Sequence, residues 1–137
     1  MATEILINDG GAPARILPFT AGEDLSAGDA VIINASGKAM QANTNVALFK
    51  FAVSGWALVD ASSGEICSII TGRGVILNAA VDTLAQGSAL MMGTSAGGGT
   101  HLAGQLELAT NTAAGPMAQA IALDASTSGT LCRILTI

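Results

Sequence analysis

Ala57-Leu58-Val59-Asp60-Ala61-Ser62-Ser63-Gly64-Glu65-Ile66-Cys67-Ser68-Ile69-Ile70 is written a second time, more loosely. The copy is Ala122-Leu123-Asp124-Ala125-Ser126-Thr127-Ser128-Gly129-Thr130-Leu131-Cys132-Arg133-Ile134-Leu135. Each copy runs from an apolar strand through Asp and Ala into a Ser/Thr-rich turn that closes on Gly. An alternating strand follows, with Cys at the third position after the Gly. A shorter echo lies upstream, where Leu25-Ser26-Ala27-Gly28-Asp29-Ala30-Val31 matches Leu84-Ala85-Gln86-Gly87-Ser88-Ala89-Leu90. The doubling predicts two similar β modules, residues 20–77 and 78–137, behind an extended N-terminal arm of residues 1–19.

Working outward, short apolar runs bounded by Gly, Asn and Ser favour strands over helices. Ala30-Val31-Ile32-Ile33 is a buried strand. Asn34-Ala35-Ser36-Gly37-Lys38 turns it into Ala39-Met40-Gln41-Ala42 as a hairpin. Val46–Val53 and Gly55–Val59 are further strands, and Thr71-Gly72-Arg73-Gly74 bends the chain into Val75-Ile76-Leu77. Asn78–Leu84 has room for one helical turn. Ala89–Met92, His101–Ala103, Gln105–Leu108, Met117–Leu123 and Thr130–Ile137 complete the second module. Strands at intervals of about 8–12 residues with turns between them predict an all-β fold, a compact barrel or sandwich. In the arm, Ile5-Leu6-Ile7 is β-prone and Asn8-Asp9-Gly10-Gly11 is a turn. Pro13 and Pro18 hold Ala14–Leu17 extended.

The chain has 137 residues, 50% of them hydrophobic but only 3% aromatic, with 17 Gly and no Tyr. Much of the apolar content is Ala, which contributes little burial per residue. Only 11% of residues are charged. A modest core and a weakly charged surface both favour association. The net charge is −5, and the five Lys and Arg are scattered. This excludes a counterion-release interface with nucleic acid. The N-terminus lacks a basic region and does not read as a secretory signal. No apolar run approaches the roughly 20 residues that span a bilayer. The expected partner is therefore protein, not nucleic acid or membrane, and the expected site of synthesis is a cytoplasm. Cys67 and Cys132 occupy matching places, which suits two reduced core residues. A disulfide between the modules is the alternative.

The catalytic inventory is thin, and no cofactor or metal is expected. His101 is the single His. Asp60 and Asp124 sit at strand ends before Ser/Thr-rich turns, where a carboxylate accepts backbone N–H groups. Glu23, Asp24 and Asp29 lack the regular oxygen spacing of a calcium loop. Gly97-Gly98-Gly99 and Gly72-Arg73-Gly74 lack the Gly-Lys-Ser/Thr ending of a phosphate loop. Trp56 suits either core packing or a subunit interface, where Trp is enriched. Met91 and Met92 point to opposite faces of a strand. With Trp56 they form the candidate subunit interface.

Leu25–Val31, Gly55-Trp56-Ala57-Leu58-Val59-Asp60-Ala61-Ser62-Ser63-Gly64-Glu65 and Thr71-Gly72-Arg73-Gly74-Val75-Ile76-Leu77 then stand in a telling order. The chain resembles the small capsid cement, or head decoration, proteins of tailed bacteriophages. Gln86–Leu90, Ala120–Ala125 and Cys132-Arg133-Ile134-Leu135 extend the resemblance, which covers about residues 20–137. Ile76 and Met91-Met92 depart from the pattern, which places aromatics there. The resemblance implies a non-enzymatic protein bound to the outer surface of an icosahedral head. It implies a homotrimer that contacts the major capsid protein and stabilises the expanded shell. The arm either packs on its own domain or reaches a neighbour. Ile5, Leu6, Ile7, Arg15, Ile16, Leu17 and Phe19 are its candidate capsid contacts, by strand addition. The rival function is a receptor- or glycan-binding β module of a phage fibre.

Overall fold

The computed structural model describes residues 5–6, 13–42, 53–81, 85–92, 106–108, 120–126 and 130–137. Among them there is no helix. Ten strands follow in order: β1 (Arg15–Thr20), β2 (Ala30–Ile33), β3 (Ala39–Gln41), β4 (Gly55–Ala57), β5 (Ile66–Thr71), β6 (Ile76–Val81), β7 (Ala89–Met92), β8 (Leu106–Leu108), β9 (Ala120–Ala122) and β10 (Thr130–Thr136). The all-β fold of two similar modules is as the sequence predicts.

The doubling holds at the level of single hydrogen bonds. Gly28 N–H donates to the Ala57 carbonyl at 2.8 Å, and Gly87 N–H donates to Ala122 at 2.8 Å. Ala57 N–H donates to Asp29 C=O and Ala122 N–H to Ser88 C=O, both at 2.9 Å. Leu58 meets Ser68 as Leu123 meets Arg133. Strand order repeats too. The first module pairs as β1-β5-β4-β2-β3, and the second as β6-β10-β9-β7-β8. Each sheet is antiparallel and curls until its outer strands touch at one parallel residue pair. That pair is Ala21–Ala39 in the first module and Val81–Leu106 in the second.

This pairing moves two expected boundaries. β1 lies along all of β5, from Arg15–Thr71 to Thr20–Ile66, so residues 15–20 are the first strand of module one and not a separate arm. The helical turn expected over Asn78–Leu84 is replaced through Val81 by β6. Its burial alternates strictly with a period of two, and β10 pairs along its full length. That alternation, with N–H groups taken by neighbouring strands, leaves no helical face to bury. Most of Val46–Val53, with His101–Ala103, lies outside the described residues.

Two cores result. The interior of module one holds Ala21, Leu25, Val31, Ala39, Ala57, Ala61, Cys67 and Ile69. The larger core joins the outer face of module one, through Ala30, Ile32, Trp56 and Ile70, to Leu77, Val81, Leu90, Leu106, Cys132 and Ile134 of module two. Gly28 stands at the seam, where its carbonyl accepts Ala80 N–H at 2.8 Å. Its φ of 91° belongs to the left-handed region, and a Cβ there would sit 2.6 Å from the Leu131 side chain. Only glycine satisfies both constraints. Thr136 locks the second bend, since its Oγ1 accepts Val75 N–H and donates to Gly72 C=O, each at 2.9 Å.

Candidate functional site

The surface best suited to a partner is built by β1 and β5. Paired residues in a sheet share a face. Leu17 with Ile69 and Phe19 with Cys67 therefore face inward. Ile16 with Ile70, Pro18 with Ser68 and Thr20 with Ile66 face outward. On β5, Ile70 is covered by the core that joins the modules. On β1 beside it Ile16 is 47% exposed, Pro18 is exposed next along the strand, and Ile66 at the far end of the face is 64% exposed. Exposed isoleucines on adjacent strands form an apolar stripe of the kind that marks contact surfaces.

The candidate capsid contacts therefore divide. Arg15 and Ile16 are exposed and available. Leu17 and Phe19 are half-buried and turned inward. Ile5 is a correction: it is 4% exposed and belongs to the larger core. Its carbonyl accepts Asn78 N–H at 2.7 Å, and Leu6 bridges to Leu77. A side chain buried among its own chain's residues has no surface left for a capsid. Ile7 lies outside the described residues.

Trp56 is likewise corrected as an interface residue, being 4% exposed in the core that joins the modules. It pairs with Ala30 and Ile70 in the middle of the first sheet, so packing from both neighbours covers it. Its indole N–H is buried without a hydrogen-bond partner. Met91 and Met92 lie on β7, but their side chains are outside the description.

Asp60 accepts a backbone N–H, as its place before a Ser/Thr-rich turn predicts; sequence reasoning missed that Glu23, Asp24 and Glu65 join it in one network. A shallow cavity of about 420 Å³ is lined by Asp24, Leu25, Ser26, Asp60, Ala61, Ser62 and Glu65. Asp24 accepts Ser63 N–H at 2.9 Å, Asp60 accepts Ala27 N–H at 2.8 Å, and Glu65 accepts Ser62 N–H at 3.0 Å. Glu23 accepts Gln41 N–H. Each of these carboxylates accepts a backbone N–H, so the walls of the cavity fasten turns. Asp60 thus fastens the 26–29 turn across the module. Asp124 forms a two-point ion pair with Arg133, at 3.1 and 3.2 Å, and most of the turn that follows it lies outside the described residues. Among the described residues no group of three His, Cys, Asp or Glu could hold a metal ion.

Asp29 stands behind this network and is only 6% exposed. Its Oδ2 accepts Ser26 N–H and Gln41 Nε2–H, both at 2.9 Å. Burial pushes its carboxyl above the usual carboxylate range, against the lowering effect of these bonds, and Asp60 and Glu23 add repulsion. A signal was present in the repeat, because Asp29 corresponds to Ser88. Ser88 Oγ instead donates to the Ala85 carbonyl at 2.6 Å, so the second copy closes the same turn without a charge.

Cys67 and Cys132 are free and buried, as expected for core positions. Their thiols donate to Val59 C=O at 3.5 Å and to Asp124 C=O at 3.2 Å, in the same relation to each module. They belong to different cores. Burial pushes both thiols up in pKa. No family model matches the chain, and no curated protein matches it detectably.

Proposed function

We propose that this chain is a non-enzymatic capsid cement protein. It binds the outer surface of an icosahedral phage head as a trimer, contacts the major capsid protein and stabilises the expanded shell. The reading rests on the ordered turn-and-strand motifs that resemble this family. The observation that supports it on the folded chain is the open apolar stripe of Ile16, Pro18 and Ile66. A turn network that uses its own carboxylates suits a rigid binding scaffold more than a catalyst. Sugar recognition would need an exposed aromatic platform, and of the described aromatics Trp56 is buried and Phe19 is turned inward. That favours cement over a glycan-binding module.

Many copies on one particle make a weak contact sufficient. The test is binding to expanded empty heads, with Ile16→Lys and Ile66→Lys combined. Both positions are exposed, so the fold should persist by circular dichroism. Head binding should drop at least tenfold. Full binding by the double variant, or a native chain that neither trimerises nor binds heads, would overturn the proposal.

A further inference from the structure

A second cavity, of about 290 Å³, opens where the two modules meet. Val53 and Trp56 come to it from the first module, Gly72 and Arg73 from the bend between β5 and β6, and Thr136 and Ile137 from the end of the second module. Trp56 is only 4% exposed. Its indole N–H is the one buried side-chain nitrogen or oxygen among the described residues that has no hydrogen-bond partner. Folded chains almost always give such a donor an acceptor, because leaving it unmade costs stability. Arg73, on the same wall, is exposed, and among the described residues its guanidinium has no partner. Thr136 offers no further proton, since its hydroxyl donates to Gly72 C=O at 2.9 Å.

We propose that this cavity binds a carboxylate group carried on a short aliphatic body. One carboxylate oxygen accepts the Trp56 indole N–H, and the Arg73 guanidinium pairs with the charge. A carboxylate fits this wall because its two oxygens take donors from two directions. A phosphate carries more charge and calls for several donors or cations, whereas Arg73 is the one charged side chain lining the cavity. The volume lies at the small end of ligand pockets, and Val53 and Ile137 give a short carbon chain an apolar wall. Two sources present this chemistry: a free short-chain acid, and the glutamate side chain of a bound protein. The inference concerns the cavity between the modules and does not depend on the capsid reading.

Trp56 is the only Trp, so the full chain has one indole N–H resonance, and that resonance reports its own hydrogen bonding. The protein is titrated at constant ionic strength with sodium butyrate, with N-acetylglutamyl amide and with butyramide. A saturable downfield shift of the indole proton is expected with at least one of the two carboxylates. Tighter binding of butyrate identifies a free acid as the source, and tighter binding of the glutamyl probe identifies a protein side chain. Butyramide keeps the shape of butyrate without its charge and should bind about tenfold more weakly. Arg73→Gln should weaken carboxylate binding by about the same factor. Arg73 is exposed, so that variant should keep the native amide spectrum away from the cavity. An indole proton that neither carboxylate shifts, or that responds equally to butyramide or in Arg73→Gln, would overturn the inference.

Discussion

Asp29 offers the sharpest test of how burial and hydrogen bonding balance in this fold. The perturbation is a pair of variants, Asp29→Ala and Asp29→Asn, followed across pH. Asp29 holds Ser26 N–H and Gln41 Nε2–H from a nearly sealed position. Hydrogen bonds to a charged acceptor contribute about 1.5–3 kcal/mol each. Ser26 is exposed and Gln41 half-buried, so both donors regain some water when the acceptor is lost. Asp29→Ala should therefore cost about 2–3 kcal/mol at pH 7, below the roughly 3–6 kcal/mol to which two such bonds sum. Asp29→Asn keeps one acceptor oxygen and loses the burial penalty of the charge, so at pH 7 it should lie within about 1 kcal/mol of the native chain.

The pH dependence separates the two causes. Burial raises the folded carboxyl's pKa above its unfolded value. Between those values the folded state binds a proton that the unfolded state has released. Stability linked to Asp29 then rises as pH falls through the folded pKa, and it levels off below the unfolded pKa, about 3.9. The slope is at most about 1.4 kcal/mol per pH unit. Urea unfolding of the native chain and Asp29→Asn from pH 4 to 7.5, at one protein concentration, gives the difference directly. The native chain should gain on the variant as pH falls. A constant difference, or a native chain that loses ground on acidification, would refute the argument that desolvation outweighs the two hydrogen bonds.

Trp56 and the cysteines supply two further tests. Trp56→Phe removes a buried donor without a partner, worth about 1–3 kcal/mol, and some ring area; its net effect should stay within about 1.5 kcal/mol. Trp56→Ala should cost about 3–5 kcal/mol. Equal losses for the two, by urea unfolding, would show that the orphan N–H is not a liability. Cys67 and Cys132 should both resist a thiol reagent at pH 7.5 in the native protein and both react once it is unfolded. Rapid native labelling of either would contradict its buried placement.

The repeat was legible because its signals are local. Turn residues, two-residue alternation and the Gly-to-Cys spacing are carried by a few neighbouring positions, and two copies reinforce each other. The Asn34–Lys38 hairpin was readable for the same reason: Asn34 Oδ1 accepts both Ser36 and Lys38 N–H groups. Asn78–Val81 was misread because a short run of Ala and Val suits helix and strand alike until a partner strand is present. The start of the first module was misplaced because Pro13 and Pro18 read as a linker. Pro18 is in fact an edge position whose missing N–H costs nothing.

By itself the sequence determined the strands, the turns, their duplication and the low-charge surface, since these follow from residue type and spacing. Only the tertiary structure decided which of those residues remain available. Ile5 and Ile16 are the same residue type in the same leading segment, yet one fills a core and the other faces solvent. Trp56 was as suited to an interface as to a core until Ile70 and module two closed over it. Burial is a sum over neighbours distant in sequence, and no local pattern contains it. The doubled stretch from Ala57 to Ile70 thus specifies a scaffold, while contacts between its two copies decide which of its faces stay open.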